Sequence, residues 1–170
     1  MIYKMKLTID LPILPQYLNA SVMEYIKTLA EQKMKGVCTE ENGYITSVAL
    51  VGGVKKNVIT RANSDVLVTV DVEVECFKPE VGAEYVGKVC LVFPGGILVM
   101  VNDKLKVYIS NLVEDGYKFV STQLCYINDK HSIKNGDYIK IKLLGVKFNI
   151  NGFTSFGKLI KDQNKLPPLP

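Results

Sequence analysis

Between Val66 and Phe77 the chain alternates without interruption: Val66, Val68, Val70, Val72, Val74 and Cys76 point one way, Leu67, Thr69, Asp71, Glu73, Glu75 and Phe77 the other. A period of two belongs to a β-strand, whose successive side chains leave opposite faces. One face here is apolar and the other mostly acidic, so this stretch predicts a long strand with one side buried. That requirement organises the reading of the first half of the chain.

Ile2 to Thr8 alternates similarly and predicts a first strand, with Ile2, Lys4, Lys6 and Thr8 on one face and Tyr3, Met5 and Leu7 on the other. Leu11-Pro12 and Leu14-Pro15 are read as breaking it, because proline donates no ladder bond. Ser21-Val-Met-Glu24 fits a capping box, and Val22, Met23, Ile26, Leu29, Ala30 and Met34 follow at helical spacing. Gly36 can end that helix in the left-handed conformation. A hairpin is expected next, Val37 to Glu40 and Tyr44 to Val51 around Glu41-Asn42-Gly43. Gly52-Gly53 reads as a break, Val54 to Thr60 as a short separate strand and residues 61–65 as a loop.

Phe77-Lys78-Pro79 reads as a joint, after which the strand pattern reopens. Glu84 to Phe93, the turn Pro94-Gly95-Gly96, Ile97 to Val101, the turn Asn102-Asp103 and Leu105 to Ser110 predict three consecutive antiparallel strands. Asn111 to Lys134 is an insertion of weak periodicity, followed by strands over Asp137 to Val146 and Phe153 to Ile160. Five short strands with the longer excursion between the third and fourth match an OB barrel. The expected organisation is a domain over 1–80, a barrel over 81–162 and an extended Pro-rich tail over 163–170.

Charge divides along the same joint. Residues 1–80 hold nine Lys/Arg against ten Asp/Glu, a net −1, and residues 81–170 hold twelve against seven, a net +5, together the +4 of the whole chain. A polyanion is therefore expected on the second half. Apolar residues make up 48% against 22% charged, which suits a globular chain with surface to bury against a partner. The longest apolar runs, such as Ile97 to Val101, fall far short of the roughly 20 residues a membrane helix needs. No signal-peptide core is read at the amino terminus, so an intracellular location is expected.

Reaction chemistry is scarce. Cys38, Cys76, Cys90 and Cys125 lack Cys-x-x-Cys spacing and read as core residues. His131 is the one histidine, set in the polar loop 128–135, where solvent or a phosphate is its expected neighbour. There is no phosphate-binding glycine loop and no dinucleotide fingerprint. Glu73/Glu75 and Glu114/Asp115 fall on an exposed strand face and in a loop, where solvation rather than catalysis is expected. A non-enzyme without metal or cofactor is expected.

The segment Gly36-Val-Cys-Thr-Glu-Glu-Asn-Gly43-Tyr-Ile-Thr-Ser-Val48, the valine strand into Phe77-Lys78-Pro79, then Gly82 and Gly87-Lys-Val89, resembles the seventh subunit of eukaryotic RNA polymerase II and its archaeal counterpart. The resemblance covers roughly residues 1–160 and includes the order of elements. It implies a fold both α+β and all-β: a truncated RNP-like tip domain, then a five-stranded OB barrel of the ribosomal-protein S-one type. It also implies the role of a polymerase stalk subunit, paired with a fourth-subunit-like partner, docked on the polymerase core subunits and touching nascent RNA in transcription. The tip's docking loop would fall on Gly52, Gly53, Val54, Lys55, Lys56 and Arg61, although the family's usual glycine punctuation stops at Gly53. In the barrel, Tyr108 stands at the exposed aromatic position of the third strand, and Leu98 occupies a position where an aromatic often sits. Such divergence suits a large DNA virus or a distant eukaryote. The setting would then be the nucleus for a cellular enzyme, and the cytoplasm or virion for a virus.

The candidate RNA-binding residues are Lys88, Leu98, Lys104, Lys106, Tyr108, Lys140 and Lys142, with Lys118, Lys130 and Lys147 extending the charge into loops. Lysines are mobile point charges, so they track a backbone better than they read bases. Two alternatives are a free-standing OB-fold RNA-binding factor and an assembly module that binds no RNA.

Overall fold

The computed structural model describes residues 1–59, 65–150 and 152–160. The described residues are mostly β-structure with one α-helix, and the chain divides into two compact units, Met1–Lys78 and Pro79–Pro170.

In the first unit, strands β1 (Ile2–Ile13), β2 (Cys38–Thr39), β3 (Gly43–Ile59) and β4 (Val66–Phe77) form one sheet in the order β1-β4-β3-β2. The valine strand β4 is therefore flanked on both edges by long antiparallel partners. Its apolar face is the core: Val68, Val70, Val72, Val74 and Cys76 are buried with Leu11, Ile13 and Ile45. Helix α1 (Val22–Met34) covers this face by burying Ile26 and Ala30, while Tyr25 and Leu29 pack at its margin. Each fully buried Val or Ile contributes about 1.5–3 kcal/mol relative to exposure, so this single face accounts for much of the unit's stability.

The opposite face of the sheet is ionic and hydrogen-bonded. Lys4 pairs with Glu73 at 3.6 Å, and Asp71 accepts from Thr8 Oγ1 at 2.7 Å and pairs with Lys55 Nζ at 2.6 Å. These contacts hold the Asp71 carboxyl below the usual carboxylate range, the Lys55 hydrogen bond acting most strongly and that of Thr8 next.

Several local expectations are corrected. β1 does not stop at Leu11-Pro12 but continues to Ile13, with Pro12 opposite Leu67. β1 is an edge strand, where proline's missing N–H is tolerated. Gly52-Gly53 does not separate two strands: β3 runs through it, and the irregularity appears as shifts of register between Leu50 and Lys56. The capping box does not form either. Ser21 is the N-cap without a side-chain cap bond, and Asn19 Oδ1 instead accepts from the Ser21 amide at 2.9 Å. Gly36 does follow the helix with φ +86°, and Gly43 closes the hairpin with φ +75°.

In the second unit, β5 (Glu84–Phe93), β6 (Gly96–Val101), β7 (Leu105–Ile109), β11 (Tyr138–Asn149) and β12 (Gly152–Leu159) close into a barrel in the order β11-β12-β7-β6-β5. All neighbours are antiparallel except β12 and β7, which run parallel and close the barrel. Val89, Ile97, Val99, Val101, Leu105, Val107, Ile109, Ile139, Ile141 and Leu143 fill its interior. Ser155, a buried polar side chain of β12, donates to the Lys106 carbonyl at 3.0 Å.

The excursion over 111–134 opens with turns over 111–116 and then becomes regular. It forms a small antiparallel sheet of β8 (Lys118–Val120), β9 (Cys125–Ile127) and β10 (Ser132–Lys134), in the order β10-β9-β8. Buried Tyr126 fixes it to the barrel, its hydroxyl sharing a hydrogen bond between the carbonyls of Phe93 and Pro94, each at 2.9 Å. Strands of three residues are too short to display a period, which explains the weak pattern in the sequence.

Candidate nucleic-acid interface

Residues that alternate with the barrel interior point outward, and the register aligns them in two rows. The first runs Leu91, Leu98, Tyr108, Phe156 across β5, β6, β7 and β12. Leu91 is 52% exposed, Tyr108 37% and Phe156 55%. Phe93 stacks on Tyr108 with ring centroids 5.8 Å apart and planes 8° from parallel. Tyr108 donates from its hydroxyl to the Gly95 carbonyl at 2.8 Å, which fixes the ring against the β5–β6 turn. Phe156 rests on Gly145, at a register shift in β11, where an added Cβ would overlap the ring. The result is an aromatic surface held in place by a hydrogen bond on one side and a glycine on the other.

The second row runs Tyr138, Lys88, Met100, Lys106, Thr154, Lys147 and lies beside the first. Lys106 and Tyr108 are two residues apart on β7 and so share its outer face, about 7 Å apart along the strand. Lys104 extends from the turn between β6 and β7, where Asn102 and Asp103 both adopt positive φ. Lys88, Leu98, Lys104, Lys106 and Tyr108 thus belong to one continuous side of the barrel.

Lys140 and Lys142 are placed differently. Lys142 lies opposite Glu84 on one side and Lys158 on the other, and Lys140 lies opposite Val86. Lys158 is two residues beyond Phe156 on β12, so Lys142 approaches the aromatic row by way of Lys158, with Lys140 farther along β11. Lys140 follows Tyr138 by two residues on the outer face of β11, so it continues from the end of the lysine row, and Lys142 is one step beyond it.

Sequence reasoning rested the platform on Tyr108 alone and missed Phe93 and Phe156. Phe93 ends a strand and could have been found as the residue facing Tyr108 across the turn. Phe156 carries no local signal, because only the parallel β12–β7 pair brings it beside Tyr108.

The residues read as a docking loop lie in the first unit, on β3. Gly52 has φ +87°, Val54 and Lys56 are exposed, and Lys55 is engaged by Asp71. Gly53 is also exposed. Arg61 falls outside the described residues. His131 sits in a tight turn, its amide donating to Asn128 Oδ1 at 2.6 Å, and lines a depression of about 250 Å³ with Asp115, Tyr117 and Lys130. Burial pushes the Tyr117 hydroxyl up, partly offset by its hydrogen bond with Asn128. Among the described residues, no three His, Cys, Asp or Glu side chains gather as a metal site would require. No helix among them is long and apolar enough to cross a membrane.

No protein-family model matches the chain. Among solved structures, it resembles the apo form of Mycoplasma genitalium RNase R, with 19% identity, a TM-score of 0.39, and coverage of 47% of this chain and 13% of that one. It also resembles GSP13 from Bacillus subtilis, with 24% identity, a TM-score of 0.34, and coverage of 46% and 55%. Along nearly its whole length, 166 residues spanning 93% of this chain and 81% of the other, it is 24% identical to a protein of Acanthamoeba polyphaga mimivirus named "Putative DNA-directed RNA polymerase subunit L376".

Proposed function

We propose that this chain is a non-catalytic stalk subunit of a multisubunit DNA-directed RNA polymerase, of the seventh-subunit type. The observation that carries this reading is the alignment to the mimivirus polymerase subunit, which extends through both units rather than through one shared module. In this reading the first unit is the RNP-like tip, and it docks on the core subunits through the exposed end of β3, including Gly52, Gly53, Val54 and Lys56. A fourth-subunit-like protein is its heterodimer partner. The setting is a viral polymerase acting in the cytoplasm or packaged in the virion.

The second unit is the OB barrel of the S-one type, a reading supported by its strand order, in which the last strand closes beside the third in parallel. It contacts emerging single-stranded RNA. Bases stack on Tyr108 and Phe156, while Lys88, Lys104 and Lys106 neutralise the backbone beside them. Aromatic stacking is tolerant of sequence, and lysine contacts with phosphate give salt-dependent affinity. Ultraviolet crosslinking of stalled transcription complexes tests this, with label expected on peptides containing Tyr108 or Phe156.

A second reading is favoured by one observation: the row Leu91, Leu98, Tyr108, Phe156 carries no charge and is exposed at Leu91, Tyr108 and Phe156. Such a surface also suits a protein partner. Crosslinks to protein alone at these positions would make the barrel an assembly module.

A further inference from the structure

A depression of about 300 Å³ opens on the barrel beside the lysine row, lined by Lys88, Met100, Asn102, Asp103 and Tyr138 together with Val86 and Gly87 of β5. Its volume is at the lower end for ligand pockets, enough for a single planar ring system. The register explains its composition. Lys88 on β5 lies directly between Tyr138 on β11 and Met100 on β6, and Asn102 and Asp103 follow Met100 into the β6–β7 turn. Gly87 allows β5 and β6 to lie close, since an added Cβ would come within 2.5 Å of Val99 Cγ1. Tyr138 and Met100 are half-buried, whereas Lys88, Asn102 and Asp103 are exposed.

The chemistry is that of a nucleotide, divided into its parts. Tyr138 offers an aromatic face and Met100 a polarisable thioether, both suited to a stacked base. Lys88 offers an ammonium to the attached phosphate, and Lys106 continues the same row. Asp103 would repel a phosphate but can accept from a base. Guanine presents two adjacent donors, N1–H and N2–H₂, on its Watson–Crick edge, which match the two oxygens of a carboxylate. Adenine, cytosine and uracil each place an acceptor beside a donor there, so a carboxylate pairs with only one of the two. No side-chain hydrogen bond or ion pair engages Asp103 or Lys88 among the described residues, which leaves both available.

We propose that this pocket receives one guanine base of a single-stranded RNA, with Asp103 pairing to its Watson–Crick edge, so that the barrel prefers guanosine at one position. The inference rests on the RNA-contacting reading of the barrel and adds a base preference that stacking and lysines alone do not provide.

The test compares the full chain binding a short oligo(U) with its binding the same oligonucleotide carrying one central guanosine. The guanosine should tighten binding at least about fivefold, the lower end for one bidentate base contact. Asp103→Asn should abolish that ratio while leaving oligo(U) affinity unchanged or slightly improved. Asparagine adopts the positive φ of this turn as readily as aspartate does, and an unchanged melting curve would show that the variant is folded. Equal affinity for the two oligonucleotides in the wild type, or a ratio that survives Asp103→Asn, overturns the pocket. Failure to bind either RNA overturns the RNA reading itself, and the pocket with it.

Discussion

The ring of Phe156 lies against Gly145, on the adjoining strand, in space that any larger residue would take from it. Gly145 does not adopt a positive φ, so a methyl group there strains the ring position rather than the backbone. Gly145→Ala should therefore change stability by less than about 1 kcal/mol but tilt Phe156 away from the row it shares with Tyr108. RNA affinity should fall toward that of Phe156→Ala, for which about 1–3 kcal/mol is expected per lost stacked base. Fluorescence anisotropy on both variants, with thermal melts beside them, checks the pair.

Salt dependence separates the lysines by their placement. Lys88 and Lys106 flank Met100 in one row, so replacing both with glutamine should lower the slope of log K against log salt by about 1.4, at roughly 0.7 per phosphate on single strands. Lys140→Gln, beyond the end of that row on β11, should leave the slope nearly unchanged. Titrations at several salt concentrations decide between one lysine-lined side and a diffuse charge.

Tyr126 ties the β8–β10 sheet to the turn that carries Phe93. Tyr126→Phe leaves the ring in place but removes the hydroxyl shared by the Phe93 and Pro94 carbonyls, at an expected cost of about 1–2 kcal/mol. Because Phe93 stacks on Tyr108, the variant should also weaken RNA binding modestly. Denaturant unfolding and binding measured on the same sample check both effects.

Asp71 links stability to pH on the acid side. Its folded pKa is depressed by hydrogen bonds from Lys55 and Thr8, so the carboxylate contributes stability above the ordinary value of about 3.9 and loses that contribution as pH falls through the lower folded value. Asp71→Asn should be less stable than wild type at neutral pH, with the difference closing below about pH 4. Melting temperatures measured from pH 7 to pH 3 test the sign.

Two glycines of β3 should differ sharply. At Gly43, φ is +75° and an added Cβ would overlap the Phe77 carbonyl and come within 2.8 Å of Lys78 Cα, so Gly43→Ala should cost about 2–4 kcal/mol. At Gly52, φ is +87° but nothing lies within 4 Å, so Gly52→Ala should carry only the backbone cost, about 1 kcal/mol. Urea midpoints of the two variants measure the difference.

What could be read from the chain was what repeats locally. The alternation of Val66 to Cys76 identified the buried face, and helical spacing located Ile26 and Ala30 in the core. Pro12 misled because a break is the ordinary result of proline, and only the sheet order shows that β1 is an edge able to carry it. Gly52-Gly53 misled for a related reason, since a register irregularity and a turn use the same residues. At the interface, Lys106 and Tyr108 could be paired from their spacing on one strand. Phe156 is joined to Tyr108 only by the parallel β12–β7 contact, across 48 positions of chain with no local mark of that pairing. The neighbourhood of Lys140 and Lys142 was hidden for the same reason: only the closed barrel, with β11 between β5 and β12, sets them beside Val86, Glu84 and Lys158.

The most direct measurement is affinity purification of the tagged full-length chain from cells making it at natural levels, followed by peptide identification and RNA crosslinking within the recovered complex. The account predicts co-recovery of the two largest subunits of a DNA-directed RNA polymerase, with transcript crosslinked to the barrel near Tyr108 and Phe156. Recovery of the chain free of any polymerase, with RNA bound or not, would contradict it.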